Sequence, residues 1–161
     1  MGATLTWKES NGAGEAENTI TNINFGSIDD YNIVPLNYFI SRGTNSYSKY
    51  IKVLFTGSWT VISNILFWKS LGGYKTDELI KAGANATYAT PSQISTGDGN
   101  IPLTSGTALA ILSAEGDATI VYGLSGVSGY TRYIRLQLQT SVSTPSGAVT
   151  QKQFTLQYDE A

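Results

Sequence analysis

The sequence predicts an all-β fold, namely an antiparallel β-sandwich of jelly-roll or Ig-like type with about eight strands, and a partly open barrel is the alternative. Apolar and polar residues alternate along several short segments, which is the period-two pattern of strands. Clusters of turn-forming residues separate these segments at intervals of about 8–12 residues, as they do in sandwich folds. With 161 residues, the chain is long enough to bury the core of one domain.

The clearest strands are predicted near the C-terminus. Residues 133–139 alternate between apolar and polar side chains, and residues 154–159 repeat this pattern after the turn-forming stretch 143–147. Alternation of this kind is typical of strands with one buried face. We therefore expect these two strands to pair as an antiparallel hairpin with a long loop.

A second pair is predicted in the middle of the chain. Residues 50–56 are rich in β-forming side chains, Gly57 and Ser58 follow as a turn, and residues 59–68 form the next strand. The second of these strands is apolar on both faces, which predicts that both faces are covered. Further strands are predicted at four places: residues 19–25, 35–40, 108–112 and 119–124.

Three segments lack a clear strand pattern. Residues 76–82 are the one candidate helix, since Thr76 can cap it and Gly83 can end it, although a strand is nearly as well supported for residues 79–82. Residues 84–106 favour an extended loop. Residues 1–18 are predicted to be an N-terminal arm, ordered against another chain or against the body of the protein. The domain proper is expected to span residues 19–161.

The chain contains no histidine and no cysteine. This excludes Ser-His-Asp and Cys-His catalysis, thiol redox chemistry, zinc fingers and disulfides. We therefore predict a protein that is not an enzyme, with no catalytic residues, no cofactor and no metal. The net charge of −2 argues against binding to nucleic acid, and no apolar run is long enough to predict a membrane span.

Short motifs that resemble functional sites have plainer explanations as turns or surface charges. Asp29-Asp30 is best explained as a turn, because an Asp side chain there can bond its own backbone. Residues 97–100 (GDGN) and 115–117 (EGD) carry too few carboxylates for a calcium loop and also favour turns. Arg132 and Arg135 are predicted to be solvated charges on one strand.

The aromatic residues leave three interpretations open. The chain has 3 Trp and 10 Tyr, which can fill the core, anchor a protein interface or stack on sugar rings. Within the predicted arm and the 84–106 loop, six apolar or aromatic residues are candidate interface residues: Leu5, Trp7, Tyr88, Ile94, Ile101 and Leu103.

Several phrases spread over residues 20–160 resemble small virion proteins of tailed bacteriophages: NINFGS at 22–27, GTNSYSKYIK at 43–52, NILFWKS at 64–70, ATYATP at 86–91 and QFTLQYDE at 153–160. The resemblance is one of composition and short phrases and includes no catalytic motif. It implies a head decoration (cement) protein on the virion surface that binds the major capsid protein or other virion proteins, often as a homotrimer. A tail, neck or baseplate component and a carbohydrate-binding β-sandwich module are the alternatives.

Overall fold

The computed structural model describes residues 2–111 and 123–161, and its regular structure is almost entirely β. The nine strands are β1 Thr4–Asn11, β2 Ala16–Thr19, β3 Lys49–Leu71, β4 Glu78–Asn85, β5 Gly99–Asn100, β6 Leu109–Ala110, β7 Gly123–Tyr130, β8 Tyr133–Thr140 and β9 Gln153–Glu160. Within those two ranges the one helical element is a 3-10 turn at Ser105–Thr107. The predicted all-β class is confirmed.

All described strand pairs are antiparallel, and most of them involve β3. Five strands each pair with a part of β3, namely β1, β6, β7, β8 and β9. The overlap of their registers places β1 and β9 along one edge of β3, and β8, β7 and β6 along the other. The strands thus belong to one sheet in which β3 is the strand with the most partners. The sequence does not show that these strands share β3 as a partner.

The predicted turn at Gly57-Ser58 is not a turn, because β3 passes straight through it. Gly57 has a φ of 111°, and the register with β7 shifts between Thr56 and Trp59, so the strand absorbs the irregularity as a bulge. A Cβ atom at Gly57 would lie 2.9 Å from the backbone oxygen of Gly2. The glycine therefore serves a bulge and a close approach of two backbones.

Two predicted pairings and the predicted helix differ from the structure. Residues 50–56 and 59–68 are halves of one strand instead of a hairpin, and β8 and β9 each pair with β3 instead of with one another. The connection between β8 and β9 is long enough for β9 to reach the far half of β3. Residues 78–85 form β4 and not a helix, because pairing with β8 outweighs the weak local helix signal.

The predicted N-terminal arm is a hairpin within the same sheet. Seven residues of β1, Thr4 to Ser10, pair with β3, and β2 pairs with the outer edge of β1. The boundary predicted at residue 18 therefore falls inside β2. Glu9 and Ser10 are fully buried, so this segment is bound into the body of the protein by backbone pairing and burial.

Residues 20–48 cover the sheet without forming a strand, contrary to the predictions for residues 19–25 and 35–40. Their apolar side chains still reach the core, as the burial of Ile20 and Ile33 shows. Of the other predicted strands, residues 108–112 include the short β6. Residues 119–122, the turn predicted around residues 114–117 and residue 112 lie outside the described residues.

The main core lies on one face of the sheet. Opposed pairs place Val53 beside Trp7 and Phe55 beside Leu5 on this face. The largest fully buried apolar side chains of the cluster are Phe55, Phe67, Ile51, Ile62, Ile80, Ile111, Ile134 and Leu136. The Phe67 ring stacks on Phe154 at 5.6 Å between ring centroids and meets Trp7 edge-on at 6.1 Å.

The first prediction concerns Phe67, which is fully buried between two aromatic rings. Phe67→Ala should lower the free energy of unfolding by about 3–5 kcal/mol through lost burial and a cavity. Val142→Ala, at a side chain that is 80% exposed, should change it by less than about 0.5 kcal/mol. Urea unfolding followed by circular dichroism measures both. Equal losses in the two variants would contradict the assigned core.

The second prediction concerns the N-terminal hairpin. Deletion of residues 2–17 should prevent cooperative folding, because it unpairs one edge of β3 and leaves buried Lys49 without its partner Glu9. Deletion of only residues 2–3, which precede β1, is the control and should leave the fold intact. Thermal melts followed by circular dichroism compare the two. A native-like melt after the long deletion would show that the hairpin is dispensable.

Candidate functional site

A wide cleft of about 1320 Å³ opens on the core face of the sheet. Its floor includes Trp7, Leu138 and Phe154, which belong to β1, β8 and β9. One wall is the irregular segment 20–42 and the other is the loop 144–153. The core face is thus only partly covered, since the covering segment lies beside the loop and leaves a gap between them.

Large apolar side chains on the rim of this cleft are exposed to solvent. Leu36 is 90% exposed and Phe39 is 70% exposed, and Leu71 and Val149 add to the same rim. Large apolar side chains that are exposed around one cleft mark a candidate site of interaction with another molecule. The cleft is therefore the candidate functional site.

The charged residues at one end of the cleft are already paired. Lys152 Nζ lies 2.6 Å from Glu78 Oε1, and both side chains are buried. Lys75 Nζ donates to the carbonyl oxygens of Ser146 and Gly147, at 3.1 and 2.8 Å. These contacts hold the 144–153 loop against β4, so the charges here shape the wall of the cleft. What the cleft offers a ligand is mainly apolar surface.

Lys69 and Tyr74 lie beside this polar end. Burial lowers the pKa of Lys69, and the positive charge of Lys152 lowers it further. The ammonium groups of Lys69 and Lys152 lie 4.8 and 5.2 Å from the centre of the Tyr74 ring. Burial raises the pKa of Tyr74 to about 12, and the nearby Glu78 also raises it.

The opposite face of β3 carries a polar and aromatic cluster around Lys52. Its ammonium group lies 3.0 Å from Glu17, donates a hydrogen bond to the Tyr133 hydroxyl oxygen at 3.0 Å and lies 4.4 Å from the centre of the Tyr130 ring. Burial alone would lower the pKa of Lys52, but the hydrogen bonds that Lys52 donates to Tyr133 and Glu17 outweigh it and raise that pKa. This cluster attaches the β1–β2 hairpin to the centre of the sheet.

Three tyrosines and one ion pair extend the same face. Tyr50 meets Tyr88 and Tyr133 edge-on, with ring centroids 5.0 and 5.9 Å apart. Arg135 binds both carboxylate oxygens of Asp98 at 2.7 Å. Arg135 is therefore paired and half-buried, instead of the solvated charge predicted from the sequence. The GDGN motif at residues 97–100 supplies its partner.

Five of the six predicted interface residues are half-buried or exposed. Leu5 and Trp7 are half-buried against the core, and Trp7 also forms part of the cleft floor. Tyr88 is half-buried, and its hydroxyl donates to the Gly12 carbonyl oxygen at 2.6 Å. Ile94 and Leu103 are 78% and 55% exposed and remain available for contact.

Ile101 is the one predicted interface residue that the structure removes from the surface. It is only 3% exposed and belongs to the core cluster. Its backbone nitrogen donates to Ile80, which extends the β4–β5 pairing and turns the side chain inward. The sequence could not show this, because Ile101 lies in a mostly polar stretch without the alternation of apolar and polar residues from which burial can be predicted.

The sequence also failed to single out Leu36 and Phe39. Both lie in the stretch 35–40, which was predicted to be a strand. The available signal was that apolar residues there do not alternate with polar ones, and that Pro35 lacks a backbone donor for a sheet. These two signals could have predicted that Leu36 and Phe39 are exposed, but not that they lie on the rim of a cleft.

Asp29 and Asp30 take structural positions, as the turn prediction implies. The Asp30 carboxylate accepts the backbone N–H of Asn32 at 2.8 Å. Asp29 accepts from the Gly12 backbone and from the Asn11 side chain, both at 2.7 Å. Among residues 2–111 and 123–161, no group of three or more carboxylates is placed to hold a metal ion. The same residues include no helix that is long and apolar enough to cross a membrane.

Comparisons with known proteins found no match: no family model, no curated protein and no solved structure resembles this chain closely enough to count. The phage resemblance therefore has no independent support, and a function has to be argued from the cleft and the surface.

The third prediction concerns alkaline pH. Tyrosine in an unfolded chain has a pKa of about 10. Above that pH the unfolded chain releases the Tyr74 proton while the folded protein keeps it until about pH 12. This contribution to stability is complete below about pH 10 and is lost as the pH rises towards 12. The raised pKa values of Lys52 and Tyr133 act in the same direction.

Urea unfolding across this pH range tests the prediction. Tyr74→Phe should flatten the decline in unfolding free energy between about pH 10 and 12 relative to the wild type. Tyr31→Phe is the matched control, because Tyr31 is 40% exposed, and it should leave the decline unchanged. An identical decline in Tyr74→Phe and the wild type would contradict the role of Tyr74.

Proposed function

We propose that this protein is a non-enzymatic structural protein of a virion, a capsid decoration protein that stabilises the head by binding the major capsid protein through the apolar cleft. The observation that carries the proposal is the exposed apolar rim beside an open core face, with Leu36 and Phe39 most exposed. The phage context itself comes from the sequence resemblance.

The cleft supports binding of an apolar protein segment. An extended or looped chain can bury its side chains against the floor, and apolar burial contributes about 25 cal/mol for each Å² removed from water. Repetition of such a contact at many sites of a shell would add a large stabilisation from modest single contacts. A rigid sheet suits this task, since little order has to be gained on binding.

The carbohydrate-binding alternative has weaker support. A sugar platform requires at least two exposed Trp or Tyr rings in one plane. Trp59 is buried, and Trp7 and Trp68 are only half-exposed. Tyr31 and Tyr38 are exposed at 40% and 39%, but Leu36 and Phe39 in the same segment are more exposed, and neither is Trp or Tyr. A tail, neck or baseplate component uses the same kind of apolar contact, and imaging of the particle distinguishes these locations from the head.

The fourth prediction concerns the rim of the cleft. The double variant Leu36→Ser, Phe39→Ser should bind phage heads at least about tenfold more weakly than the wild type, because apolar anchors at the centre of an interface each contribute about 1–2 kcal/mol or more. Co-sedimentation of labelled protein with purified heads measures binding. Light scattering after size exclusion measures whether the free protein is a homotrimer.

Two controls locate the contact. Val142→Ser alters a side chain that is 80% exposed and outside the cleft, and it should bind like the wild type. Ile94→Ser, Leu103→Ser tests the surface that the sequence alone indicated. If the wild type does not sediment with heads, the decoration function is wrong. If only the Ile94 and Leu103 variant loses binding, the protein binds through that surface and not through the cleft.

A further inference from the structure

A lysine, a glutamate and an asparagine meet inside the protein where β1 ends and β3 begins. Lys49 Nζ lies 2.8 Å from Glu9 Oε1. Asn11 Nδ2 donates to the same oxygen at 2.9 Å. One carboxylate oxygen therefore holds both the amine nitrogen of Lys49 and the amide nitrogen of Asn11.

The sheet register brings these three side chains together. Ser10 pairs with Tyr50, so the next step along the two strands places Asn11 opposite Lys49. Residues directly opposite each other project to the same face with their Cβ atoms about 4.5–5.5 Å apart. Glu9 is two residues before Asn11 and shares that face. The juxtaposition is therefore a property of the backbone pairing as well as of the side chains.

The site is buried and its polar atoms are not all satisfied. Lys49 and Glu9 are fully buried, and Asn11 is 8% exposed. Glu9 Oε2 and Asn11 Oδ1 have no hydrogen-bond partner in the described structure. Buried polar atoms without partners are costly, and their presence in a native protein calls for an explanation.

We propose that Lys49 and Asn11 form an intramolecular isopeptide bond, with Glu9 as the catalytic residue. The neutral Lys49 amine attacks Cγ of Asn11, so that an Nζ–Cγ bond forms and the Cγ–Nδ2 bond breaks. One proton of Nζ passes by way of Glu9 to Nδ2, which leaves as ammonia. No electrons are gained or lost, and Glu9 returns to its starting protonation state.

The environment of Glu9 suits this proton transfer. Burial raises the pKa of its carboxyl group, and the neighbouring Lys49 and Asn11 only partly oppose this effect. In its protonated form the Glu9 carboxyl group can give a proton to the leaving nitrogen, and a neutral amine is the form that can act as a nucleophile. Both nitrogens lie within hydrogen-bond distance of Glu9 Oε1, as a general acid–base requires.

Asp29 and Asp30 fix the reactants. Asp29 Oδ1 accepts a second hydrogen bond from Asn11 Nδ2 at 2.7 Å, and the Asp30 carbonyl oxygen accepts from Lys49 Nζ at 2.5 Å. Positioning of two reacting groups in one orientation accounts for a large part of the rate of intramolecular reactions. The segment 20–48 thus covers this end of the core face and aligns the two nitrogens.

Gly12 follows Asn11, so a second reaction has to be distinguished. Attack by the Gly12 backbone nitrogen on Asn11 Cγ gives a succinimide, which also releases ammonia. In the structure that N–H is donated to Asp29 Oδ2 at 2.7 Å, which holds it in another contact. Intact mass alone cannot separate the two products, because both reduce the mass by the same amount.

The experiment is peptide mapping of the purified, folded full chain by mass spectrometry. The proposal predicts a loss of about 17 Da and a branched tryptic peptide in which residues 9–42 are joined through Lys49 to residues 43–52. Lys49→Arg and Asn11→Ala should abolish the branched peptide, and Glu9→Gln should reduce it at least about tenfold. A folded wild type without the branched peptide overturns the proposal, whether or not a mass loss is seen.

Glu17→Gln is the matched control. Glu17 pairs with Lys52 at 3.0 Å in the same sheet, and its substitution should leave the amount of branched peptide unchanged. A branched peptide at the wild-type level in Glu9→Gln would overturn the assigned role of Glu9. Because the decisive peptide is read on the wild type, the test does not depend on the folding of any variant. It is also independent of head binding, so this proposal and the proposed function fail separately.

Discussion

The structure depends on the backbone pairing of β3. A strand of 23 residues exposes a long row of N–H and C=O groups on both edges, and a buried backbone group without a partner costs as much as a lost hydrogen bond. Strands from both ends of the chain satisfy this row: β1 from the N-terminus and β9 from the C-terminus share one edge. Bulges near Gly57 and Asn64 let one strand keep several partners in different registers.

This use of the strands explains the open cleft. Because the regular strands pair along β3, the core face is left to an irregular segment, residues 20–48, which covers it only in part. Where the cover is close, at Asp29 and Asp30, the sheet face can keep a buried lysine and glutamate. Near Leu36 and Phe39 the segment packs less closely on the sheet, and the apolar face remains open.

The sequence predicted the fold class and most strand positions, but not the partners of the strands. Alternation located residues 133–139 and 154–159 because that signal is local. It could not show that both pair with β3, since pairing depends on contacts between residues far apart in sequence. The cleft could not be predicted either, because Leu36 and Phe39 have the same apolar character as residues of a buried strand. The Lys49, Glu9 and Asn11 cluster was missed because it exists only through the register of β1 on β3.

Several charged side chains are removed from water in the part of the chain that the structure describes. They include Glu9, Lys49, Lys52, Lys69 and Glu78. Buried ion pairs add little stability compared with well-packed apolar residues, because desolvation offsets their attraction. Their role here is to fix the positions of the segments that they join. The Lys152–Glu78 pair, for example, joins the 144–153 loop to β4. Apolar side chains both fill the core, as at Phe67, and are exposed around the cleft, as at Leu36 and Phe39.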